Sequence, residues 1–264
     1  MITILYAGNY KAADGILISL LSMVKHTDAP LNVICLTMDL SEMNENFRPI
    51  SKSFSAYMDG ILKSKNPNSK FTAADMTEEF KKNLSNSVNL NNRFTPYTML
   101  RLLADKMDLP DKFIYLDADT VINRDISLLF DIDLEDNELG VVKDAYTLNP
   151  KYFNAGVLLV NFNACKKSAL FERAREIVNN KRLLYIDQTA LNKVCSKRIM
   201  LSDIFNSKNV YYPDIVVHHF CDVRKYFFHR IKPWEVDLVK EKTDVYNDVL
   251  DDYSLRKNQK QWEY

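Results

Sequence analysis

Residues 113–122 read FIYLDADTVI, an apolar run that leads directly into two carboxylates, Asp117 and Asp119. A short apolar run rich in aromatic and β-branched residues is typical of a strand buried on both faces in a parallel sheet. The two acids are therefore expected at the carboxyl edge of that sheet, where open α/β folds bind ligands. Side chains two residues apart on an extended chain leave from the same face, roughly 6.6 Å apart. Because two facing anions repel each other, the pattern predicts a divalent metal between them, with or without a phosphate.

Strand-like and helix-like segments alternate around this stretch. The segments 2–7 and 31–38 are buried-strand patterns, and residues 14–26 between them carry apolar side chains at helical spacing. The spacing also predicts helices over 41–64 and 96–107. Such alternation predicts an α/β fold with a mostly parallel sheet and helices on both faces.

The composition is that of an ordinary soluble globular protein, with 47% hydrophobic and 27% charged residues among 264. A formal net charge of zero gives no electrostatic basis for nucleic acid as the main partner. No apolar stretch approaches the roughly 20 residues of a membrane span, and the N-terminus lacks a signal-peptide pattern. The four scattered cysteines are typical of a reducing compartment. The sequence therefore predicts a cytoplasmic protein without an integral membrane segment.

Two classes of enzyme place an Asp-x-Asp motif directly after a buried strand. The pattern resembles that of haloacid dehalogenase-like phosphatases, in which Asp117 would be the covalent nucleophile and Asp119 the general acid or base. Those enzymes usually carry the motif near the N-terminus, whereas here it follows a complete βαβαβ region. In nucleotide-sugar glycosyltransferases the first half binds the nucleotide and the acids then hold a metal. The position of the motif favours this second class.

Further motifs follow YLDAD in a fixed order, namely FNAGVLLVNF (153–162), DQTALN (187–192), HHF (218–220) and KPW (232–234). With them the chain resembles family 8 of the glycosyltransferases, the retaining group that includes galactosyltransferases and glycogenin. The resemblance implies a Rossmann-like GT-A domain over residues 1–234 and a C-terminal extension over 235–264. It also implies a Mn²⁺-dependent site, with Mg²⁺ as the alternative ion, and a UDP-hexose donor.

The resemblance assigns roles to residues around the metal and the diphosphate. The family's metal ligands match Asp117, Asp119 and His219. The lysine that contacts the diphosphate matches Lys232 by its Pro-Trp context and Lys225 by its spacing from the histidine. A lysine suits this task as a point charge on a flexible stem, and the context favours Lys232.

Other matched residues surround the nucleotide and the donor sugar. In the loop YAGNY, Ala7 would face uracil, Asn9 would bond the ribose or the base edge, and Tyr10 would stack, although the loop lacks its usual acid. The family's donor-contacting Arg or Lys aligns with Met99, and Arg101, two places later, would lie on another face of an α-helix. The residues matched to the remaining donor site, the sugar and the acceptor side are Ala118, Asn154, Ala155, Gly156, Asp187, Gln188 and Asp144.

The sequence thus predicts a retaining glycosyltransferase that moves glucose or galactose from a UDP-sugar to a hydroxyl of a glycan, a glycoprotein or a lipid-linked acceptor. Front-face attack is favoured over a covalent route because the amide of Gln188 is a poor nucleophile. Two alternatives stay open, the phosphatase and a nucleotide-sugar-binding protein that has lost turnover. Three departures from the family pattern favour the binding protein: Met99 stands in place of an Arg or Lys, Asp222 stands in place of a glycine, and the first loop lacks its acid. The intact metal ligands oppose it.

Overall fold

The computed structural model describes residues 1–91, 94–208, 214–221, 231–259 and 262. The strands are β1 (Ile2–Ala7), β2 (Leu31–Thr37), β3 (Lys70–Asp75), β4 (Lys112–Leu116), β5 (Thr120–Ile122), β6 (Leu139–Lys143), β7 (Phe153–Asn161), β8 (Arg198–Met200) and β9 (Val217–His219). The α-helices are α1 (Ala13–His26), α2 (Lys52–Lys65), α3 (Thr77–Leu84), α4 (Ser127–Phe130), α5 (Phe162–Lys167), α6 (Leu170–Asn180), α7 (Ile186–Val194), α8 (Val236–Lys240) and α9 (Asn247–Asn258). The 3₁₀ helices are Tyr10–Ala12, Pro96–Lys106 and Asp203–Phe205. None of the helices in these ranges combines the length and the hydropathy that crossing a bilayer requires.

Among the described residues, seven strands form the main sheet in the order β3-β2-β1-β4-β7-β6-β8. Strands β3, β2, β1 and β4 are parallel, as are β6 and β8. Within this sheet β7 runs antiparallel to both of its neighbours, β4 and β6. The predicted mostly parallel sheet is confirmed.

The reversed direction of β7 decides where the site forms. Because β7 runs against β4, its first residues lie beside the carboxyl end of β4, and the amide of Asp117 donates to the carbonyl of Gly156 at 2.8 Å. The register between β6 and β7 shifts between Val141 and Val142, which pair with Leu158 and Asn154. Residues 155–157 of β7 are therefore skipped in the pairing with β6. Bulges of this kind re-aim side chains next to functional sites. The start of β7 therefore faces the Asp-x-Asp motif.

Helices cover both faces of the sheet. Alternate residues of β1 point to opposite sides, so that Ile4 belongs to one buried apolar cluster and Leu5 to the other. Helices α1, α2 and α9 pack into the first cluster, whereas α3, α6, α7 and the 3₁₀ helix Pro96–Lys106 pack into the second. Leu250 and Tyr253 of α9 are buried in the first cluster. The segment after residue 234 thus shares the core of the sheet.

Two helix predictions need correction. The helix predicted over 41–64 begins only at Lys52, where the hydroxyl of Ser51 caps it by accepting from the amide of Phe54 at 3.1 Å. Pro49 explains the late start, because a proline disfavours helical backbone at the residue before it. The segment predicted as a helix over 96–107 is a 3₁₀ helix over Pro96–Lys106.

Candidate active site

The two acids of the Asp-x-Asp motif lie in a turn between β4 and β5. The hydroxyl of Thr120 closes this turn by donating to the carbonyl of Asp117 at 2.9 Å, and it also bonds Ser19 of α1 at 3.0 Å. The spacing predicted for an extended chain is therefore wrong. The turn, fastened to α1, brings the two carboxylates toward one point.

The third member of the cluster, His219, comes from β9, which pairs with β5 so that His219 lies opposite Thr120. Its Nε2 is 3.2 Å from Asp119 Oδ1 and 3.7 Å from Asp117 Oδ2. The ring fills the space beside Gly156, where an added Cβ would come within 2.0 Å of its Cε1. The missing side chain of Gly156 therefore makes room for the imidazole.

The chemistry of this cluster fits a divalent metal. The ligand atoms of Asp117, Asp119 and His219 all lie within 4.8 Å of one another. Two carboxylates and an imidazole are ligands that suit Mn²⁺ and similar ions. Burial acts to lower the pKa of His219, but Cys221 and the Asp119 carboxylate outweigh it and raise that pKa to about 10. The site thus attracts a positive charge, and these three residues can hold a metal ion.

Arg101 is the residue that the sequence argument placed on a different helix face from the donor-contacting position at Met99. Its Nη2 donates to Asp117 Oδ1 at 2.6 Å and its Nη1 to the carbonyl of Ala155 at 2.5 Å. Its Nε lies 2.9 Å from Asp187 Oδ2, as an ion pair. Burial opposes the charge on Arg101, but the carboxylates of Asp117 and Asp187 raise its pKa above the ordinary value. The guanidinium therefore joins the Asp-x-Asp turn to the first turn of α7.

Arg101 lies on a face of its 3₁₀ helix that borders the cleft. With three residues per turn, positions three apart share one face, and Thr95, Thr98 and Arg101 line the cleft. Met99, where the family's cation aligns, is fully buried in the core. Helical spacing from Met99 therefore did not identify Arg101 as a residue of the cleft wall. A usable signal was its position inside the apolar run MLRLL, since a buried arginine needs charged partners.

A chain of hydrogen-bonded side-chain amides leads away from the cluster of Asp117, Asp119 and His219. His219 Nδ1 lies 3.0 Å from Asn206 Oδ1, and Asn206 Nδ2 donates to Asn154 Oδ1 at 3.0 Å. Asn154 Nδ2 in turn donates to Gln188 Oε1 at 3.2 Å. Asn206 is buried, and no sequence motif singled it out. The chain connects His219, a candidate metal ligand, to the residues matched to the donor sugar.

Both ends of the Gln188 amide are engaged by the protein. Its Oε1 accepts from the amide of Ala155 at 3.1 Å as well as from Asn154, and its Nε2 donates to Asp144 Oδ2 at 3.3 Å. The Asp144 carboxylate also lies 3.6 Å from Nζ of Lys208, whose side chain is 8% exposed. Because two donors occupy the Gln188 oxygen, this residue is held as a rigid polar group.

A cleft of about 470 Å³ lies at this edge of the sheet. The predicted residues that line it are Ala7, Asn9, Asp117, Ala118, Asp119, Ala155, Gly156, Asp187, Gln188 and Lys232. Asn154 and Asp144 support the wall of the cleft through Gln188. Lys225 lies outside the described residues.

Lys232 lies beside the acids of the cluster. Its Nζ is 2.6 Å from Asp119 Oδ2 and 5.6 Å from the ring centre of Trp234. The Trp234 ring packs on α1 at Gly15, where an added Cβ would come within 2.8 Å of it. The KPW motif therefore places an ammonium group at the cluster.

The first loop is held by its own hydrogen bonds. Asn9 Oδ1 accepts from the amide of Lys11 at 3.2 Å, and Asn9 Nδ2 donates to the carbonyl of Asn46 at 3.2 Å. The Tyr10 hydroxyl donates to Asn46 Oδ1 at 3.1 Å, and the Arg48 guanidinium lies 4.5 Å from the centre of the Tyr10 ring. The nucleotide contacts of Asn9 and Tyr10 stay predictions.

Known proteins resemble the chain in fold and in sequence. Solved structures with a similar fold include an active-site mutant of LgtC, with a TM-score of 0.71, 20% identity and coverage of 95% of this chain and 96% of that chain. GlyE of Streptococcus pneumoniae gives a TM-score of 0.67, 18% identity and coverage of 97% and 65%. A Haemophilus influenzae protein named as a glycosyltransferase is 25% identical over 256 residues, which are 86% of this chain and 73% of that protein. Glycosyltransferase GlyA of Streptococcus pneumoniae is 32% identical over 143 residues, 47% of this chain and 19% of that protein. The sequence model of Glycosyl transferase family 8 matches residues 1–234, and the chain therefore belongs to glycosyltransferase family 8, with the GT-A fold of LgtC.

Proposed function

We propose that this chain is a retaining hexosyltransferase that uses Mn²⁺, with Mg²⁺ as the alternative ion, to move glucose or galactose from a UDP-sugar to an acceptor hydroxyl. The observation that carries the proposal is the cluster of Asp117, Asp119 and His219, whose two acids line the cleft, with Lys232 beside it. A structure of the galactosyltransferase LgtC in complex with donor and acceptor sugar analogs has the same fold, with a TM-score of 0.65. When bound, the ion would supply Lewis-acid stabilisation of the charge that grows on the leaving diphosphate.

The other residues of the cleft bind and orient the donor. Lys232 places a point charge where the diphosphate would lie. Gln188 and Asp187 would contact the sugar ring, with Gln188 held in place by Asn154 and Asp144. In this arrangement the acceptor oxygen bonds the anomeric carbon on the face that UDP leaves. The carbon–oxygen bond to the diphosphate breaks, and the acceptor's proton passes to a diphosphate oxygen.

The contacts of Gln188 favour front-face attack over a covalent route. A glycosyl-enzyme would need a free nucleophilic oxygen beneath the sugar, and the Gln188 oxygen already accepts two hydrogen bonds, from Ala155 and Asn154. Neutral amides are also weak nucleophiles. The phosphatase alternative falls away because the family match covers the whole region that holds the Asp-x-Asp motif.

A panel of UDP-glucose, UDP-galactose and GDP- and dTDP-sugars tests the proposal. Each donor is incubated with Mn²⁺, Mg²⁺ or chelator and with a glycan, a glycopeptide or a lipid-linked acceptor. Release of UDP that requires both metal and acceptor, with an α-linked product from an α-linked donor by NMR, is the expected result. UDP-sugar binding without turnover across the panel would favour the binding-protein alternative, and an inverted product would contradict the retaining mechanism.

A further inference from the structure

We propose that Asn206 is a positioning residue that sets the tautomer of the metal ligand His219 and ties it to the sugar-site residue Asn154. This proposal rests on the proposed metal-dependent function. Asn206 directly follows the 3₁₀ helix Asp203–Phe205 and is 4% exposed. Both ends of its amide bond a neighbour at 3.0 Å, so its orientation has chemical consequences on two sides.

The direction of each hydrogen bond follows from one backbone group. The amide of Gly156 can only donate, and its acceptor at 3.0 Å is therefore the side-chain oxygen of Asn154. The group of Asn206 that lies 3.0 Å from the same oxygen must also donate, which identifies it as Nδ2. The oxygen of Asn206 consequently faces His219 Nδ1. This assignment depends on a backbone donor and not on an arbitrary choice between amide O and N.

An oxygen beside Nδ1 requires that this nitrogen carry a hydrogen. In the neutral imidazole the lone pair then lies on Nε2, because one ring nitrogen donates and the other accepts. Nε2 is the nitrogen that lies 3.2 Å from Asp119 Oδ1. Asn206 therefore presents to the acids the nitrogen that can bind a metal. Fixed acceptors of this kind orient metal-ligating histidines in proteins generally.

The second hydrogen bond of Asn206, to Asn154 Oδ1, positions a residue of the proposed sugar site. With its oxygen held by Gly156 and Asn206, Asn154 directs its Nδ2 toward Gln188 Oε1 at 3.2 Å and Asp144 Oδ2 at 3.4 Å. Loss of this bond would leave the Asn154 oxygen with the Gly156 amide as its remaining described donor and would hold Asn154 less firmly. Because the two bonds serve different partners, suitable substitutions should separate metal binding from turnover.

The experiment measures Mn²⁺ binding to the protein by electron paramagnetic resonance in the absence of donor, and in parallel kcat and KM for the donor. Asn206→Leu removes both bonds, and its Mn²⁺ affinity should fall by about 10- to 100-fold. Asn206→Asp keeps an acceptor for the Nδ1 hydrogen but cannot donate to Asn154. It should bind Mn²⁺ as wild type does, with kcat lowered by about tenfold and little change in KM.

Asn32→Leu is the matched control, since it removes a buried amide of β2 whose Nδ2 donates to Thr3. It should lower stability and leave Mn²⁺ affinity unchanged. Wild-type affinity in a natively folded Asn206→Leu, or equal loss of affinity in both Asn206 variants, would overturn the inference. If Asn206→Leu does not fold, the Mn²⁺ affinity of Asn206→Asp becomes the deciding measurement. Loss of Mn²⁺ binding in that variant would overturn the inference. A wild-type protein that binds no Mn²⁺ would instead refute the metal dependence of the proposed function.

Discussion

Arg101→Met removes the guanidinium that joins the Asp-x-Asp turn to α7 and keeps a flexible apolar side chain in its place. Breaking a buried ion pair costs about 3–5 kcal/mol, because the partner is left as an uncompensated charge. The Asp187 side chain is 11% exposed, whereas that of Asp117 is 28% exposed and keeps the Tyr115 hydroxyl at 2.9 Å. The loss of the ion pair with Asp187 should therefore account for most of the loss of stability. We expect the free energy of unfolding to fall by about 3–5 kcal/mol, a large part of the roughly 5–15 kcal/mol typical of a domain.

Urea unfolding followed by circular dichroism measures this loss, and the melting temperature should fall by about 6–20 °C. Arg101→Met combined with Asp187→Asn removes the orphaned charge and should recover part of the stability. Arg175→Met is the matched control, because Arg175 is a buried arginine paired with Asp105, away from the cleft. It should lower stability but spare UDP-sugar binding. A loss under about 1 kcal/mol in Arg101→Met, or a double variant no more stable than the single one, would refute the reasoning.

Further predictions concern the metal and the diphosphate. Asp119→Ala should abolish Mn²⁺ binding and turnover while leaving the fold intact, and full activity of the wild type in excess chelator would contradict the metal role. Lys232→Ala should weaken UDP-sugar binding in calorimetry by about 1.5–3 kcal/mol, the value of a charge-assisted bond, whereas Lys225→Ala should change it little; the reverse result would show that spacing locates the functional lysine. The pKa of His219 is about 10 in the metal-free protein, so a metal that binds its Nε2 at neutral pH must displace a proton. Mn²⁺ affinity should therefore rise by about tenfold per pH unit between pH 6 and 8, and calorimetry in two buffers that finds no released proton would exclude this competition.

The sheet and the place of the site were predictable because they depend on local patterns. A strand buried on both faces is recognised from a short apolar run, and acids at its end must lie at the edge of the sheet. The direction of β7 could not be predicted from a local pattern, because an apolar segment such as FNAGVLLVNF has the same sequence pattern whether it pairs parallel or antiparallel. Only the tertiary pairing with β4 shows that Gly156 lies beside Asp117.

The residues that sequence reasoning missed depend on long-range geometry. Arg101 reaches two carboxylates from a 3₁₀ helix, and both carboxylates belong to segments distant along the chain, so no local periodicity in the sequence indicates the contact. Asn206 lies in a segment without periodicity, and its partners are 52 and 13 residues away along the chain. Such a bond leaves no local pattern to detect.

The two adjacent histidines of the HHF motif show how the C-terminal segment contributes to the metal site. Alternation along β9 turns His218 away from the acids, and its ring stacks on Tyr246 with centroids 5.7 Å apart, while the Tyr246 hydroxyl lies 2.9 Å from its Nδ1. Burial and the neighbouring His219 lower the pKa of His218 to about 3, so it is neutral at pH 7 and adds no charge next to the metal ligand. Strand β9 has three residues and carries both histidines. Tyr246 lies beyond residue 234, where the family match ends. The segment after the matched region therefore packs against the strand that carries His219.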